Sequence, residues 1–149
     1  MDKPAIIQFI RARLKALAET CKAEMQQAQA DANSEEKSSA GDKYETARAM
    51  GQNQRDLFAR RLDAALLELA VFDALSNLAP SDRIQAGNLV KAGNHYFFVG
   101  SGLGPLSLPS VEKLICTSTD SPLGKILIGK KPGDEFQFAR QILFIEKVL

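Results

Sequence analysis

In the first half of the chain the apolar residues follow a helical period in two runs, residues 4 to about 32, at alternating steps of three and four, and about Lys43 to Leu78. Residues 4 to about 32 read as one helix, with Ile7, Ile10, Leu14, Leu17, Cys21 and Ala28 forming a seam for one partner helix. Glu24 occupies one seam position, and toward the far end the seam shrinks to alanine, so packing there is expected to be thin. A second pattern runs from about Lys43 to Leu78 through Tyr44, Ala47, Phe58, Leu62, Ala65, Leu69 and Phe72. If continuous it is about 50 Å long, at about 1.5 Å per residue. Gly51-Gln52-Asn53-Gln54 interrupts its stripe, and a glycine inside a helix costs roughly 1 kcal/mol relative to alanine. Asn33 to Asp42, rich in Ser, Asn, Gly and charge, reads as the turn between the two. Neither stripe is wide enough for a globular core, so the expectation is an antiparallel hairpin with large residues at its base and small ones at its tip.

At Ala79-Pro80-Ser81-Asp82 the period changes from helical to two. Gly87 to Lys91 and His95 to Val99 read as strands around an Ala92-Gly93-Asn94 turn. Lys113 to Thr117, Glu135 to Ala139 and Gln141 to Val148 complete the set. Between them, Asp120 or Ser121 can cap a short helix that Pro122 opens and Gly129 ends, with Leu123, Ile126 and Leu127 on one side. Lys131-Pro132-Gly133-Asp134 then reads as a tight turn. The class is α+β: a coiled-coil hairpin over residues 1–79, its tip at about 33–43, then a small antiparallel β domain with one short helix over 80–149.

Composition removes several function classes. The net charge is +1, divided as 11 basic and 12 acidic residues up to Pro80 and 8 basic and 6 acidic beyond it. Neither half is basic enough for a stand-alone nucleic-acid binder. Cys21 and Cys116 lack paired-ligand spacing, and with one histidine a zinc site is not expected. No apolar run approaches the roughly 20 residues that span a bilayer, and the N-terminus lacks a signal-peptide layout, so a cytoplasmic protein away from membranes is expected. Gly100-Ser101-Gly102-Leu103-Gly104 fails as a dinucleotide loop, because Pro105 stands in the third glycine's place, and reads as a surface loop. His95 has no Ser or Cys partner nearby in sequence, and a place at a strand edge is its default.

The stretch from Ser121 to Asp134 resembles the C-terminal signature of the bacterial Gre transcript-cleavage factors (GreA/GreB). Their pattern SP-x-x-x-x-L-x-G-K-x-x-G-D is matched at Ser121, Pro122, Leu127, Gly129, Lys130, Gly133 and Asp134. Tyr96-Phe97-Phe98-Val99-Gly100 is similar to the family's Y-x-I-V-G strand, and Tyr44-Glu45-Thr46-Ala47-Arg48 to the start of its second helix. The resemblance covers nearly the whole chain. It implies a coiled coil followed by an FKBP-like domain that docks on RNA polymerase at the rim of the secondary channel, the hairpin entering that channel. It makes Asp120, Ser121 and Pro122 the polymerase-docking loop, and it implies a regulator with no catalytic site or cofactor of its own. A monomer is expected.

In that family, carboxylates at the tip help hold a second Mg²⁺ beside backtracked RNA. Here the alignment through Tyr44 places Ser38 and Gly41 at those acidic positions, and neither offers a carboxylate to a hard cation. Regulation of elongation without stimulated cleavage is therefore the expectation. The nearby acidic residues are Glu35, Glu36, Asp42 and Glu45. Asp42 and Glu45 have the i, i+3 spacing of a shared face and could hold the shared Mg²⁺; they equally suit an N-cap and its capping-box partner, which is the simpler reading. Lys22, Arg48 and Arg55 are candidates for contact with nascent RNA or polymerase, against the plainer reading of solvated helix surface. Two other classes stay open. One is an FKBP-like prolyl isomerase or chaperone using Tyr96, Phe97, Phe98, Phe136 and Phe138 as a pocket. The other is a self-associating coiled-coil protein.

Overall fold

The computed structural model describes residues 1–38, 42–110 and 112–149, and for 35–38 and 42–44 the backbone alone. The chain divides into two compact units, Phe9–Ala70 and Met1–Gln8 with Val71–Leu149. The fold is α+β, as the change of period predicts.

Two long helices, α1 (Lys3–Ser38) and α2 (Asp42–Ser76), make up the first unit and extend beyond it. Asp2 caps α1, its Oδ1 accepting from the Ala5 N–H at 3.1 Å. Ala32 lies against Gly51, and the Arg55 guanidinium donates to Gln29 Oε1 at 3.1 Å, so the helices run antiparallel. The buried seam of α1 is Ile10, Leu14, Ala18, Cys21 and Ala28, with Leu62 and Ala65 of α2 packed on Ala18 and Cys21. Two seam assignments change: Ile6 is buried in place of Ile7, and Ala18 in place of Leu17, which is 42% exposed, because the buried positions Ile6, Ile10, Leu14 and Ala18 advance by steps of four. The expected turn also begins too early. Residues 33–38 continue α1, with i, i+4 bonds from Gln27 to Asp31 at 2.9 Å and from Gln29 to Asn33 at 3.1 Å supporting the approach to its end. Residues 39–41 lie outside the described set.

Gly51 is a further change. It lies within the helical contact: a Cβ built on it would stand 2.7 Å from the Cβ of Ala32. The glycine allows the helices to approach closely where the seam is smallest.

Among the described residues the second unit holds seven strands. Five of them, β1 (Leu89–Ala92), β2 (His95–Val99), β3 (Gly104–Ser107), β4 (Lys113–Thr117) and β7 (Lys147–Val148), form one sheet in the order β3-β4-β2-β1-β7. β5 (Glu135–Phe138) and β6 (Gln141–Phe144) form a hairpin of their own, and α3 (Pro122–Leu127) follows β4. The sheet is mixed and not antiparallel throughout: β2 and β4 run parallel, His95 opposite Lys113 and Val99 opposite Thr117. Parallel neighbours need a crossover, and residues 100–112 supply it. Within that crossover lies β3, which replaces part of the expected surface loop; Ser101 there is 2% exposed.

One face of the sheet carries Val90, Ala92, Phe97 and Val99, covered by Leu127, Phe136, Ile145 and Ile84. The rings of Phe136 and Phe138 meet Phe97 edge-on at 5.4 and 5.2 Å. On the opposite face Phe98 lies 5.0 Å from Phe72, and the Tyr96 hydroxyl donates to the Met1 carbonyl at 3.1 Å. With both faces covered, β2 reads as a continuous apolar run. The β5–β6 turn is made by Ala139 and Arg140 at φ 49° and 64°. Such turns favour Asn or Gly, and other residues there cost on the order of 1 kcal/mol each.

Candidate functional site

The predicted docking loop is a rigid corner. Its rigidity comes from Ser121, whose Oγ accepts from the Gly124 N–H at 3.0 Å, donates to the Ser118 carbonyl at 2.8 Å and contacts Thr117 Oγ1. Pro122 occupies the first turn of α3, as its fixed φ and missing N–H favour. The helix returns so closely on the preceding loop that a Cβ on Gly124 would stand 2.0 Å from the Ser118 carbonyl oxygen. Beyond α3, the Gly129 N–H donates to the Ile84 carbonyl at 2.8 Å, and Ile84 answers with a bond to the Lys130 carbonyl at 2.7 Å. Asp134 closes the next turn by accepting from the Lys131 N–H at 2.9 Å.

Most residues of the Ser121–Asp134 signature therefore hold the corner together. Ser121 caps, Leu127 is buried, Gly129 and Gly133 take φ of 87° and 94°, and Asp134 closes a turn. The groups left facing outward are Asp120, Pro122, Lys125, Ile126 and Ile128, the two isoleucines 42% and 41% exposed. Together they offer a partner a carboxylate, a proline ring, an ammonium and two apolar side chains on a fixed backbone. Ile126, expected on the same side as Leu123 and Leu127, is exposed instead, because a helix of two turns has one narrow inward face, and Ile128 was not singled out from sequence.

The helical candidates do not gather into one cluster. Arg55 is half-buried and bonded to Gln29 and Asp56, which makes it part of the helix contact. Lys22 is exposed, but the pairing of Ala18 and Cys21 with Ala65 and Leu62 puts it level with residues 61–62. That is about 10 Å along the axis from Arg55 and about 20 Å from Arg48, so the expected proximity of Lys22 to Arg55 is not realised. Arg48 and Glu45 are exposed on α2. Helix α2 opens at Asp42, which places Asp42 and Glu45 one turn apart, but the Asp42 side chain lies outside the described residues, as do Gly41 and the side chains of Glu35, Glu36 and Ser38. Among the described residues no group of three or more His, Cys, Asp or Glu side chains could hold a metal ion. Two carboxylates at a helix start fit a metal poorly on their own: they supply too few ligands for a hard cation, and the positive end of the helix competes for their charge.

The five aromatic residues considered as a pocket are mostly core. Tyr96, Phe97, Phe98 and Phe136 are at most 7% exposed. Phe138 alone among them lines a cleft of about 500 Å³, together with His95, β3, Lys113 and Ile115 of β4, and Ala139. His95 does not sit at a sheet edge: β2 has β1 on one side and β4 on the other. Its ring stacks on Phe97 at 5.8 Å and meets Phe138 edge-on at 5.6 Å, and its Nδ1 is buried with no hydrogen-bond partner among the described residues. Burial, then the ammonium groups of Lys113 and Lys91, hold its pKa below the ordinary 6.5. Nearby, Glu112 takes bonds from the Ser110 hydroxyl at 3.0 Å and from Lys91 Nζ and the N-terminal ammonium at 3.3 Å each, and these hold its carboxyl below the usual range.

No helix among the described residues is long and apolar enough to cross a membrane. Comparison with protein-family models gives no match, and comparison with curated proteins gives none either.

Proposed function

We propose that the protein is a cytoplasmic transcription elongation factor of the Gre type, which binds RNA polymerase beside its secondary channel through the corner at Asp120-Ser121-Pro122. The observation that supports this reading is the division of labour within the signature. Ser121 and Gly124 fix the backbone from inside, while Asp120 and Pro122 remain outward on a rigid turn. A preorganised loop loses little conformational freedom on binding, which favours its use as a docking element.

The paired helices of Phe9–Ala70 suit entry into a narrow channel, since two helices side by side are only about 20 Å across. The factor regulates elongation and adds no cleavage activity, because Ser38 and Gly41 stand where the family carries metal-holding carboxylates. Asp42 and Glu45 are the residues that could approach a Mg²⁺ shared with polymerase, and Lys22, Arg48 and Arg55 remain the candidate contacts to RNA or polymerase.

Binding to purified polymerase from the same cells tests the reading. The wild type should bind, and Asp120→Ala/Pro122→Ala should bind at least about tenfold more weakly while remaining folded, as expected for removal of a central contact. Equal binding by the folded double variant would place the interface elsewhere. Transcript cleavage in backtracked complexes that disappears in Asp42→Asn/Glu45→Gln would make those carboxylates metal ligands and overturn the non-cutting assignment.

A further inference from the structure

The register of the sheet divides the floor of the cleft into two rows. His95, Lys113 and Ser107 lie side by side across β2, β4 and β3, and the next row on that face is Phe97, Ile115 and Pro105. The first row is polar and the second apolar. Phe138 and the tightly turned Ala139 form the side wall contributed by the β5–β6 hairpin.

The cleft is lined by one carboxylate, Glu112, and one ammonium, Lys113. Glu112 is bonded to Ser110, Lys91 and the N-terminal ammonium, and these two further cations outweigh its charge, leaving the Lys113 ammonium to face the cleft. The Lys113 side chain is exposed, and its ammonium is near enough to the His95 ring to disfavour the imidazolium. The ring is therefore neutral at pH 7, and with Phe97 and Phe138 it makes an aromatic wall. A volume of about 500 Å³ falls within the range of small-molecule sites, which use a mainly apolar lining and a few placed polar groups.

We infer that this cleft is a binding site for a small monocarboxylate with an apolar or aromatic body, its carboxylate held by Lys113 and Ser107 and its body laid over Ile115 and Pro105 against Phe138. The site belongs to the β unit alone and does not rest on the polymerase-binding reading. A free acid and the C-terminal carboxylate of a peptide share the chemistry that it selects.

His95 is the single histidine of the chain, so its imidazole resonances report the cleft without ambiguity. The test titrates the full chain at constant pH with 4-phenylbutyrate, with the neutral 4-phenylbutyramide, and with a phenylalanine-ended peptide bearing either a free or an amidated C-terminus. The free acid should shift the His95 signals saturably, with a dissociation constant in the millimolar range or tighter. The amide should bind about tenfold more weakly, the loss expected when one charge-assisted contact is removed. Lys113→Met should lower affinity for the acid by a similar factor, and Ser107→Glu should abolish it. Ile142→Ser, which alters the exposed outer face of β6, should leave binding unchanged. Saturation by the free-ended peptide but not by 4-phenylbutyrate would identify a chain terminus as the ligand and overturn the small-acid assignment. Equal affinity for acid and amide, an unaffected Lys113→Met, or the absence of any saturable shift would remove the site.

Discussion

The two units bury their residues in different ways. In the β unit the fully buried side chains include Phe97, Phe98, Leu114, Leu127 and Ile145, drawn from two strands, a helix and the link between β6 and β7, distant in sequence. In the helical unit Ile10 and Leu14 are the large ones, and the rest of the seam is Ala18, Cys21, Ala28 and Ala65. There, Leu17, Leu57, Leu66 and Leu67 are between 42% and 66% exposed. Two helices share a single stripe of contact and have no interior, whereas a sheet covered on both faces does. One unit therefore concentrates its stability in a few large residues, and the other spreads it thinly along its length.

The largest effect should come from the concentrated core. Phe97→Ala removes a ring that touches Phe136, Phe138 and His95, and should cost about 3–5 kcal/mol in a urea titration. Ala28→Gly in the seam should cost about 1 kcal/mol, mostly through helix propensity. Comparable losses would show that the units do not differ as described.

Next comes the corner. Gly124→Ala would place a Cβ 2.0 Å from a backbone carbonyl that cannot swing aside, so a loss of about 1–3 kcal/mol is expected. Should Gly124→Ala be neutral, the loop before α3 is more pliable than a preorganised docking element requires.

Gly51→Ala sharpens the contrast, because two effects oppose each other. Helix propensity favours alanine by about 1 kcal/mol, while its Cβ would stand 2.7 Å from that of Ala32. The clash lies between two side chains with no freedom to turn away, so we expect net destabilisation of about 1 kcal/mol, relieved in part by Ala32→Gly. Stabilisation by the single variant would mean that the helices separate there at no cost.

These glycines also mark where the sequence could and could not be read. Helical and strand periods located α1, α2, β2 and β4, since each repeats its apolar pattern over enough residues to be distinctive. Gly51 looked like an interruption because its role is an approach between residues 19 positions apart, which propensity does not register. β3 was missed because Gly104 and Pro105 are turn residues in isolation and are tolerated only at a sheet edge, and that edge exists once β4 inserts beside β2. The corner at Asp120–Pro122 was legible as a helix start from local chemistry alone. The cleft was not, since His95, Ser107 and Lys113 meet through the parallel register of β2 and β4 and not through any spacing along the chain.

The smallest effect is electrostatic and confined to the β unit. The folded state holds the His95 pKa below 6.5, first by burial and then through Lys113 and Lys91. For a base with a depressed pKa, the neutral fold is fully favoured above the unfolded value. As pH falls below that value the unfolded chain takes up a proton that the folded chain refuses, and stability declines until the folded pKa is reached. One such group can contribute at most about 1.4 kcal/mol per pH unit, and a partly exposed ring less than that. Urea midpoints measured from about pH 7.5 to about pH 5.5 should therefore fall for the wild type and fall less for His95→Phe, which keeps a neutral ring against Phe97 and Phe138. The N-terminal ammonium and Glu112 are common to both proteins and cancel in the difference. Identical slopes would mean that the imidazole finds a proton acceptor on protonation, and the buried Nδ1 would then be open to a partner that the neutral ring does not use.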